Sequence, residues 1–429
     1  MRIGLVIYGS LDTLSGGYLY DRKLVEYLRA SGDSVEIISL PWRSYPRHLL
    51  DNFNPVWRRR LAELDVDVLL QDELNHPSLA WANRALANAP FPVVSIVHHL
   101  RASEEHPVWR LPFYRWVEGR YLASIDGFVF NSRTTQNAVR SLLQKRNWDV
   151  TTQPPHPTPP QIGEGTVTTP PPIWGRLGGG EQLRLDTDFQ DLNPPKSAQS
   201  ALSAFHSSVV AYPAADHLDV PSAEAVARLI DERSARSGPV ELLFVGNLIP
   251  RKGLHHLLAA LAQLPNQNWQ LRVVGNTAVD SGYTAQLQAQ IARLGLSGSV
   301  ALHGRVSDAT LTEFLLRSDL LAVPSYEGFG IVYLEAMAFG LPVIASTAGA
   351  AHEIVEPGVN GFLVEPAETN GLTATLTCCL ADRSALAEMG RVARRVYDSH
   401  PSWAQTGERI RNFLEEQVNQ NRREVKRET

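Results

Sequence analysis

One segment, from Asp319 to Ser346, constrains the fold of this chain more than any other. It reads DLLAVPSYEGFGIVYLEAMAFGLPVIAS: an apolar run, a loop with two glycines, a helical pattern and a second apolar run. Short apolar runs that alternate with helical patterns are typical of parallel strands covered by helices. The segment therefore predicts a strand, a loop, a helix and a strand of an α/β fold.

Two carboxylates flank the loop and the start of the predicted helix. Glu327 and Glu335 are separated by GFGIVYL, which spans up to ~12 Å in a helix. The catalytic carboxylates of a glycoside hydrolase lie only ~5 to 9.5 Å apart. Glycines admit a ligand close to the backbone, and the first N–H groups of a helix favour phosphate. This order favours an elongated ligand with hydroxyls at both ends and a diphosphate between them, such as a nucleotide sugar.

The same residues resemble the E-x7-E signature of retaining glycosyltransferases of the GT-B fold, family 4. Two later blocks, GLPVIA from Gly340 and AGAAHEIVEPGVNGFLVEP from Ala348, are also similar to that family. The chain departs from it at Gly349-Ala350, where the family usually has a pair of glycines. The resemblance implies an α/β architecture of two Rossmann-like domains that face each other across a cleft. The last helix is expected to cross back onto the N-terminal domain.

The resemblance also implies an activity, which is transfer of a sugar from a nucleotide-diphosphate donor to a hydroxyl acceptor with retention at the anomeric carbon. Glu327 would orient the donor sugar, and Glu335 would hold the ribose. Arg251 and Lys252, in the loop GNLIPRKG, would stabilise the departing diphosphate. The predicted donor contacts are Gly16, Gly17, Gly246, Arg251, Lys252, Gly304, Arg305, Glu327, Gly328, Phe329, Gly330, Ile331 and Glu335.

One catalytic residue is predicted in the N-terminal half. His98 and His99 directly follow the apolar strand PVVSIV, and ligands of open α/β sheets collect at the carboxyl ends of strands. His98 matches the active-site histidine of the family better, with His99 as the alternative. The predicted catalytic residues are thus His98, Glu327, Arg251 and Lys252.

The length of 429 residues predicts two or three domains. We expect an N-terminal domain over 1–212, a nucleotide-sugar-binding domain over 213–400, and a crossover helix with a charged tail over 401–429. Residues 151–172 contain eight prolines, which disfavour both helix and sheet. They predict a flexible insert over 151–196.

Charge and hydropathy restrict the partners. The net charge of −5 does not suggest nucleic acid as a partner. Because the first strand begins at Arg2 and no apolar run reaches about 18 residues, we expect a cytoplasmic protein. The segment VWRLPFYRWVEGRY interleaves arginines with aromatic residues. That pattern leaves open a peripheral contact between the N-terminal domain and the inner face of a membrane.

Several other functions are less well supported by the sequence. Asp65-Val66-Asp67 has the form of a metal-binding D-x-D, but it precedes a predicted strand from Val66 to Leu70, so we expect no metal and no cofactor. A nicotinamide dehydrogenase would need G-x-G-x-x-G after the first strand, which YGSLD does not supply. A phosphorylase would need pyridoxal phosphate on a lysine. A catalytically silent nucleotide-sugar-binding scaffold remains the main alternative. The donor base, its sugar and the acceptor, whether lipid, polysaccharide or small metabolite, stay open.

Overall fold

The computed structural model describes residues 1–104, 106–144, 205, 207–265 and 268–428. Within these residues, twelve strands form two parallel sheets of six strands each, in the orders β2-β1-β3-β4-β5-β6 and β12-β11-β10-β7-β8-β9. The predicted α/β class is therefore confirmed. The strands are β1 Arg2–Tyr8, β2 Ser34–Leu40, β3 Val68–Asp72, β4 Val93–Val97, β5 Gly127–Phe130, β6 Ser208–Val210, β7 Val240–Val245, β8 Trp269–Val274, β9 Val300–Gly304, β10 Leu320–Ala322, β11 Val343–Ser346 and β12 Gly361–Val364.

Helices connect the strands and cover both faces of each sheet, which is why central strands such as β3, β4 and β5 are buried along their whole length. In the described part of the chain, none of them combines the length and the apolar character needed to cross a bilayer. The α-helices are Gly16–Ala30, Tyr45–Asp51, Pro55–Ala62, His76–Leu79, Leu111–Leu122, Arg133–Gln144, Ala223–Ala235, Leu254–Leu261, Ser281–Arg293, Asp308–Arg317, Ile331–Ala338, Thr369–Ala381, Arg383–Ser399 and Trp403–Glu428.

The first helix illustrates how local sequence sets an element that borders the cleft. The Ser15 side chain accepts a hydrogen bond from the N–H of Tyr18 at 3.3 Å, which satisfies one of the free donors of the first turn. The helix ends before Gly32, whose φ of 84° is left-handed. Its first turn thus contains Gly16 and Gly17 and follows the carboxyl end of β1.

The last helix returns to the first domain, in agreement with the predicted crossover. Ile410 and Leu414 are fully buried in a cluster with residues of the first helix and of β1. The helix also includes most of the charged tail that the sequence predicts at the end of the chain, because it continues to Glu428. Two of its polar residues hold the extension against the first sheet. The Asn421 amide donates to the Pro90 carbonyl at 2.9 Å, and Arg422 pairs with Asp67 at 2.9 Å.

The D-x-D pair lies away from the cleft. Strand β3 begins at Val68, two residues later than predicted, so Asp65 and Asp67 precede its amino end. The carboxylate of Asp67 accepts the N–H of Arg2 at 2.7 Å, and that of Asp65 pairs with the Arg2 guanidinium. Both acids therefore join the amino ends of neighbouring strands. The predicted insert over 151–196 lies outside the described residues.

Candidate active site

A cavity of about 670 Å³ lies between the carboxyl ends of the two sheets. Nearly all the predicted site residues border it, including His98 from the first domain. Gly304 does not. It ends β9 and accepts the N–H of Gly275 at 2.9 Å, which places the following Arg305 at the cavity. The bordering residues that the sequence predicts are Gly16, Gly17, His98, Gly246, Arg251, Lys252, Arg305, Glu327, Gly328, Phe329, Gly330, Ile331 and Glu335.

An ion pair between Lys252 and Glu327 forms the polar centre of the second domain's wall. The Nζ atom of Lys252 donates to Oε1 of Glu327, which also accepts the Ser325 hydroxyl at 2.5 Å. Both side chains are largely buried, with 14% and 13% of their surface exposed. Burial opposes ionisation of Glu327, but Lys252 and Arg251 offset it and lower the pKa of Glu327. Burial lowers the pKa of Lys252.

The loop that carries Glu327 is fixed by a close backbone contact. Ala350 donates its N–H to the carbonyl oxygen of Glu327 at 3.0 Å. Gly349 has a φ of 90°, and a Cβ there would lie 2.1 Å from the same oxygen, so this position requires glycine. Ala350 has a φ of −99°, which any residue can adopt. The departure from the family's glycine pair therefore leaves the backbone undisturbed.

Arg251 joins the two domains beside this pair. Its guanidinium donates to the Tyr326 carbonyl oxygen at 2.7 Å and lies 3.7 Å from the carboxylate of Glu104. Glu104 is also hydrogen-bonded to His99 at 2.9 Å. Although burial opposes ionisation, His99 and Arg251 lower the pKa of Glu104 to about 2. His99, the alternative catalytic histidine, thus contacts the same carboxylate as Arg251.

Glu335 lies on the helix Ile331–Ala338 and is mostly buried. Its carboxylate pairs with Nε2 of His217 at 3.2 Å. The indole N–H of Trp403 donates to Nδ1 of His217 at 3.4 Å, so the proton of a neutral His217 resides on Nε2 and faces Glu335. The crossover helix thereby orients the acid that is predicted to hold the ribose.

His98 forms the corresponding centre in the first domain. Its Nε2 atom lies 3.2 Å from the carboxylate of Asp21, which is fully buried. Burial disfavours the charged imidazolium, but Asp21 outweighs this effect and raises the pKa of His98 to about 9. The ring lies against Gly17, and a Cβ at Gly328 would meet the carbonyl oxygen of His98 at 2.2 Å. Glycine at 328 therefore brings the second domain against His98.

Two models of glycosyltransferase families match the chain. The model described as Glycosyl transferases group 1 matches residues 227–396, and Glycosyltransferase Family 4 matches residues 18–155. A GDP-mannose-dependent monoacylated alpha-(1-6)-phosphatidylinositol monomannoside mannosyltransferase from Corynebacterium glutamicum is 31% identical over 268 residues, which cover 56% of this chain and 67% of that protein. The chain belongs to the group 1 glycosyltransferases.

Other relatives and solved structures agree with this assignment. A D-inositol 3-phosphate glycosyltransferase from Rhodococcus erythropolis is 30% identical to this glycosyltransferase over 56% of each chain. Sucrose-phosphate synthase from Thermosynechococcus elongatus superimposes with a TM-score of 0.70 at 20% identity, covering 97% of this chain and 98% of that one. HepE from Anabaena, solved in complex with UDP, has a TM-score of 0.65 at 20% identity and covers 97% and 100%. At such identities these two structures bear on the fold alone, and they confirm GT-B.

The sequence reasoning missed several polar residues of this glycosyltransferase's cavity. Asp72 and Glu73, at the carboxyl end of β3, border the cavity beside His98. Burial raises the pKa of Asp72 to about 8, with a further contribution from Asp21. Asp72 ends β3 and Glu73 directly follows it. His98 was predicted because ligands collect at the carboxyl ends of strands, and the same pattern in the sequence indicates these two acids. His217, which pairs with Glu335 behind the cavity wall, had no such signal, because no local pattern indicates a contact between residues so far apart in the chain.

Proposed function

We propose that this glycosyltransferase moves a sugar from a nucleotide-diphosphate donor to a hydroxyl acceptor with retention at the anomeric carbon. The ion pair of Lys252 and Glu327 at the cavity, with Arg251 beside it, is the observation that carries the proposal. Two cations next to the start of a helix favour a diphosphate. Glu335, on that helix, would accept hydrogen bonds from ribose hydroxyls.

The chemical step follows from these positions. The bond between the anomeric carbon and the diphosphate oxygen breaks, and Arg251 and Lys252 stabilise the negative charge that develops on the diphosphate. The acceptor oxygen bonds to the anomeric carbon from the leaving-group face, which gives retention, and its proton passes to the departing phosphate oxygen. Glu327 holds Lys252 in place and orients the donor sugar. His98, on the opposite wall, carries a positive charge near the transferred sugar.

The names of similar proteins suggest two classes of donor. Two mannosyltransferases among the relatives are named as GDP-mannose-dependent, whereas HepE was solved with UDP and with UDP-glucose. GDP-mannose and UDP-glucose are therefore the first donors to compare. ADP-glucose provides a third base with the same diphosphate.

Thermal stabilisation by GDP, UDP, ADP and their sugars tests the donor site. A matching nucleotide at 100 times its dissociation constant stabilises the fold by about 2.7 kcal/mol, which raises Tm by a few degrees. We expect one base to be preferred and the shift to shrink in Glu335→Gln and Arg251→Ala. Arg293→Ala, which removes an exposed cation of the same domain, is the matched control and should retain the shift. A folded protein that no nucleotide stabilises would contradict the proposal.

We further propose that the first domain contacts an anionic membrane surface. Val108, Trp109 and Phe113 are 82%, 72% and 39% exposed, and the Arg110 guanidinium stacks on the Trp109 ring at 4.7 Å. Exposed apolar side chains with neighbouring arginines suit the interface of an anionic bilayer. Leu50 and Val56, on two other short helices of the same domain, and Phe53, in the turn between those helices, are also mostly exposed.

Sedimentation with vesicles tests this contact. We expect binding to phosphatidylglycerol vesicles at low salt and much weaker binding to pure phosphatidylcholine. Trp109→Ser should reduce binding, and Val279→Ser, an exposed apolar residue of the second domain, should not. Equal recovery in the supernatant with and without anionic vesicles would overturn the proposal.

A further inference from the structure

Four neighbouring strands of the first sheet direct residues toward one lobe of the cavity. In the order β2, β1, β3 and β4, the residues at or just after their carboxyl ends are Trp42, Tyr8, Glu73 and His98, and all four border the cavity. Strands lie about 4.8 Å apart, so the row extends roughly 14 Å. His98 meets the second domain through Gly328. Trp42 therefore lies at the opposite end of this row from His98.

Trp42 is a rigid aromatic surface with much of its area uncovered. It is 52% exposed, and its ring centroid lies 5.2 Å from that of Tyr8. Gly9 has a φ of 65°, and a Cβ there would lie 2.7 Å from the indole, so the missing side chain lets the ring lie against the backbone. A large apolar ring left open in a concave site is typical of a ligand contact.

The tyrosines of this lobe have hydroxyl groups that are already hydrogen-bonded. The hydroxyls of Tyr8 and Ser78 are hydrogen-bonded at 2.6 Å. Tyr18 donates to the Tyr8 carbonyl oxygen at 2.5 Å, and the Tyr45 hydroxyl contacts Nε2 of His76 at 3.1 Å. Because Tyr8 and Tyr18 are only 1% and 3% exposed, the open aromatic surface of the lobe is that of Trp42.

Glu73 supplies the polar half of the lobe. It is 4% exposed, and its Oε1 atom has no hydrogen bond within the described residues. The nearest candidate, Nδ1 of His76 at 3.1 Å, is bonded instead to the Glu73 carbonyl oxygen at 3.0 Å. A buried carboxyl oxygen without a partner is costly. Glu73 borders the cavity, so its carboxyl group is the candidate partner for a ligand hydroxyl.

The two arginines of the lobe both contact other side chains. Arg43 donates to the carboxylate of Asp51 at 2.6 Å. The guanidinium of Arg101 lies 5.0 Å from the ring centroids of both Tyr45 and Tyr114, where cation-π attraction holds it. Within the described residues, the buried Nε of Arg101 and Oε1 of Glu73 both lack a hydrogen-bond partner, and a hydroxyl group, which both donates and accepts, matches this pair.

We propose that this lobe is the acceptor subsite and that it takes a cyclic polyol, a pyranose or a cyclitol ring, with its C–H face on Trp42 and a hydroxyl on Glu73. This inference rests on the proposed sugar transfer, and it specifies the class of the acceptor. A ring of six atoms with several hydroxyls presents both surfaces at once. A linear alcohol or an alkyl chain presents only one of them.

Ligand-observed NMR titration of the full chain tests the subsite without turnover. The probes are methyl α-D-mannopyranoside, methyl α-D-glucopyranoside and myo-inositol, with glycerol as an acyclic polyol, each in the presence of GDP or UDP. We expect at least one ring compound to bind and glycerol to bind more weakly. Trp42→Ala should weaken ring binding about 3- to 10-fold, because an aromatic contact of this kind is worth up to about 1.5 kcal/mol. Trp42→Tyr should retain most of it.

Glu73→Gln separates the polar contact from the aromatic one. We expect it to change the relative affinities of the three ring compounds while the nucleotide signals stay as in the wild type. Ring compounds that do not bind, or that bind Trp42→Ala as tightly as the wild type, would overturn the acceptor subsite. Loss of the nucleotide signals alone, with ring binding intact, would instead count against the donor site. A first-domain lobe that binds only phosphorylated rings would also overturn the inference, since it would assign recognition to Arg43 and Arg101.

Discussion

The carboxylate of Glu353, in the second domain, accepts hydrogen bonds from the backbone N–H and the hydroxyl of Thr134, in the first domain, at 2.7 and 2.6 Å. It also accepts the N–H of Arg133 at 3.1 Å and the Tyr212 hydroxyl at 2.8 Å. Thr134 lies in the first turn of the helix Arg133–Gln144, where a negative charge is favourable. Ala350, three residues before Glu353, donates its N–H to the carbonyl oxygen of Glu327. The segment from Ala350 to Glu353 therefore connects the contact between the domains to the loop that carries Glu327.

Glu353→Gln should therefore loosen the closed arrangement. The substitution keeps the shape but removes the charge, and the net contribution of a hydrogen bond to a charged group is about 1.5–3 kcal/mol. We expect a larger radius of gyration in solution scattering and a lower kcat. Tyr212→Phe, which removes one of the four bonds, should have a smaller effect of the same sign. Scattering curves of Glu353→Gln and wild type that coincide would contradict the coupling.

Lys252→Met should destabilise the fold and abolish most activity. It leaves the largely buried Glu327 without its cation, which costs about 3–5 kcal/mol, and it removes a donor to the leaving group, which costs about 100- to 1,000-fold in kcat. Adding Glu327→Gln should restore part of the free energy of unfolding without restoring kcat. Urea unfolding and rate measurements on the four proteins of this cycle check both statements. Additive losses of stability would show that the two side chains do not interact.

Stability should fall between pH 7 and pH 9. His98 has a pKa of about 9 in the folded chain, above the ~6.5 of an unfolded histidine, so its contribution is complete below about pH 6.5 and is lost as the pH rises through 9. Asp72, with a pKa raised to about 8 by burial and Asp21, acts in the same direction because the folded state retains a proton that the unfolded state releases. Urea unfolding at both pH values should show a smaller drop for His98→Gln. A drop as large as that of wild type would contradict the assignment to His98.

Gly349→Ala and Ala350→Gly should differ sharply although they lie side by side. A side chain at 349 needs a left-handed backbone, which costs about 1–2 kcal/mol, and meets the Glu327 oxygen at 2.1 Å. We expect a lower Tm and weaker nucleotide binding. Ala350→Gly should cost only about 1 kcal/mol and leave binding unchanged. Equal nucleotide affinity for both variants would show that the Glu327 loop does not depend on this contact.

The sequence predicted those parts of the structure that depend on neighbouring residues. Buried strands and the glycine loop around Glu327 each carry a local pattern, and the structure contains both. His98 was predicted for the same reason, since it directly follows β4. The structure brings these residues together at one cavity, and their chemical roles stay predictions.

Contacts between residues that are far apart in the chain could not be predicted. Glu353, His217 and Asp21 meet partners that are 77 or more positions away in the chain, and no periodicity reports such a pairing. The extended last helix was missed for a related reason. The charged residues at its end, considered alone, indicate a solvated tail. In the structure, Arg422 forms an ion pair with Asp67, just before β3.

Anomeric ¹H NMR of a reaction with GDP-mannose or UDP-glucose and a ring acceptor tests the proposed sugar transfer most directly. We predict release of the nucleoside diphosphate together with a new α-anomeric signal, matching the α configuration of the donor. Both signals should be absent with Lys252→Met and retained with Arg293→Ala. A folded protein that binds the nucleotide but releases none of it from any donor would contradict the account, and would identify the chain as a catalytically silent nucleotide-sugar-binding scaffold.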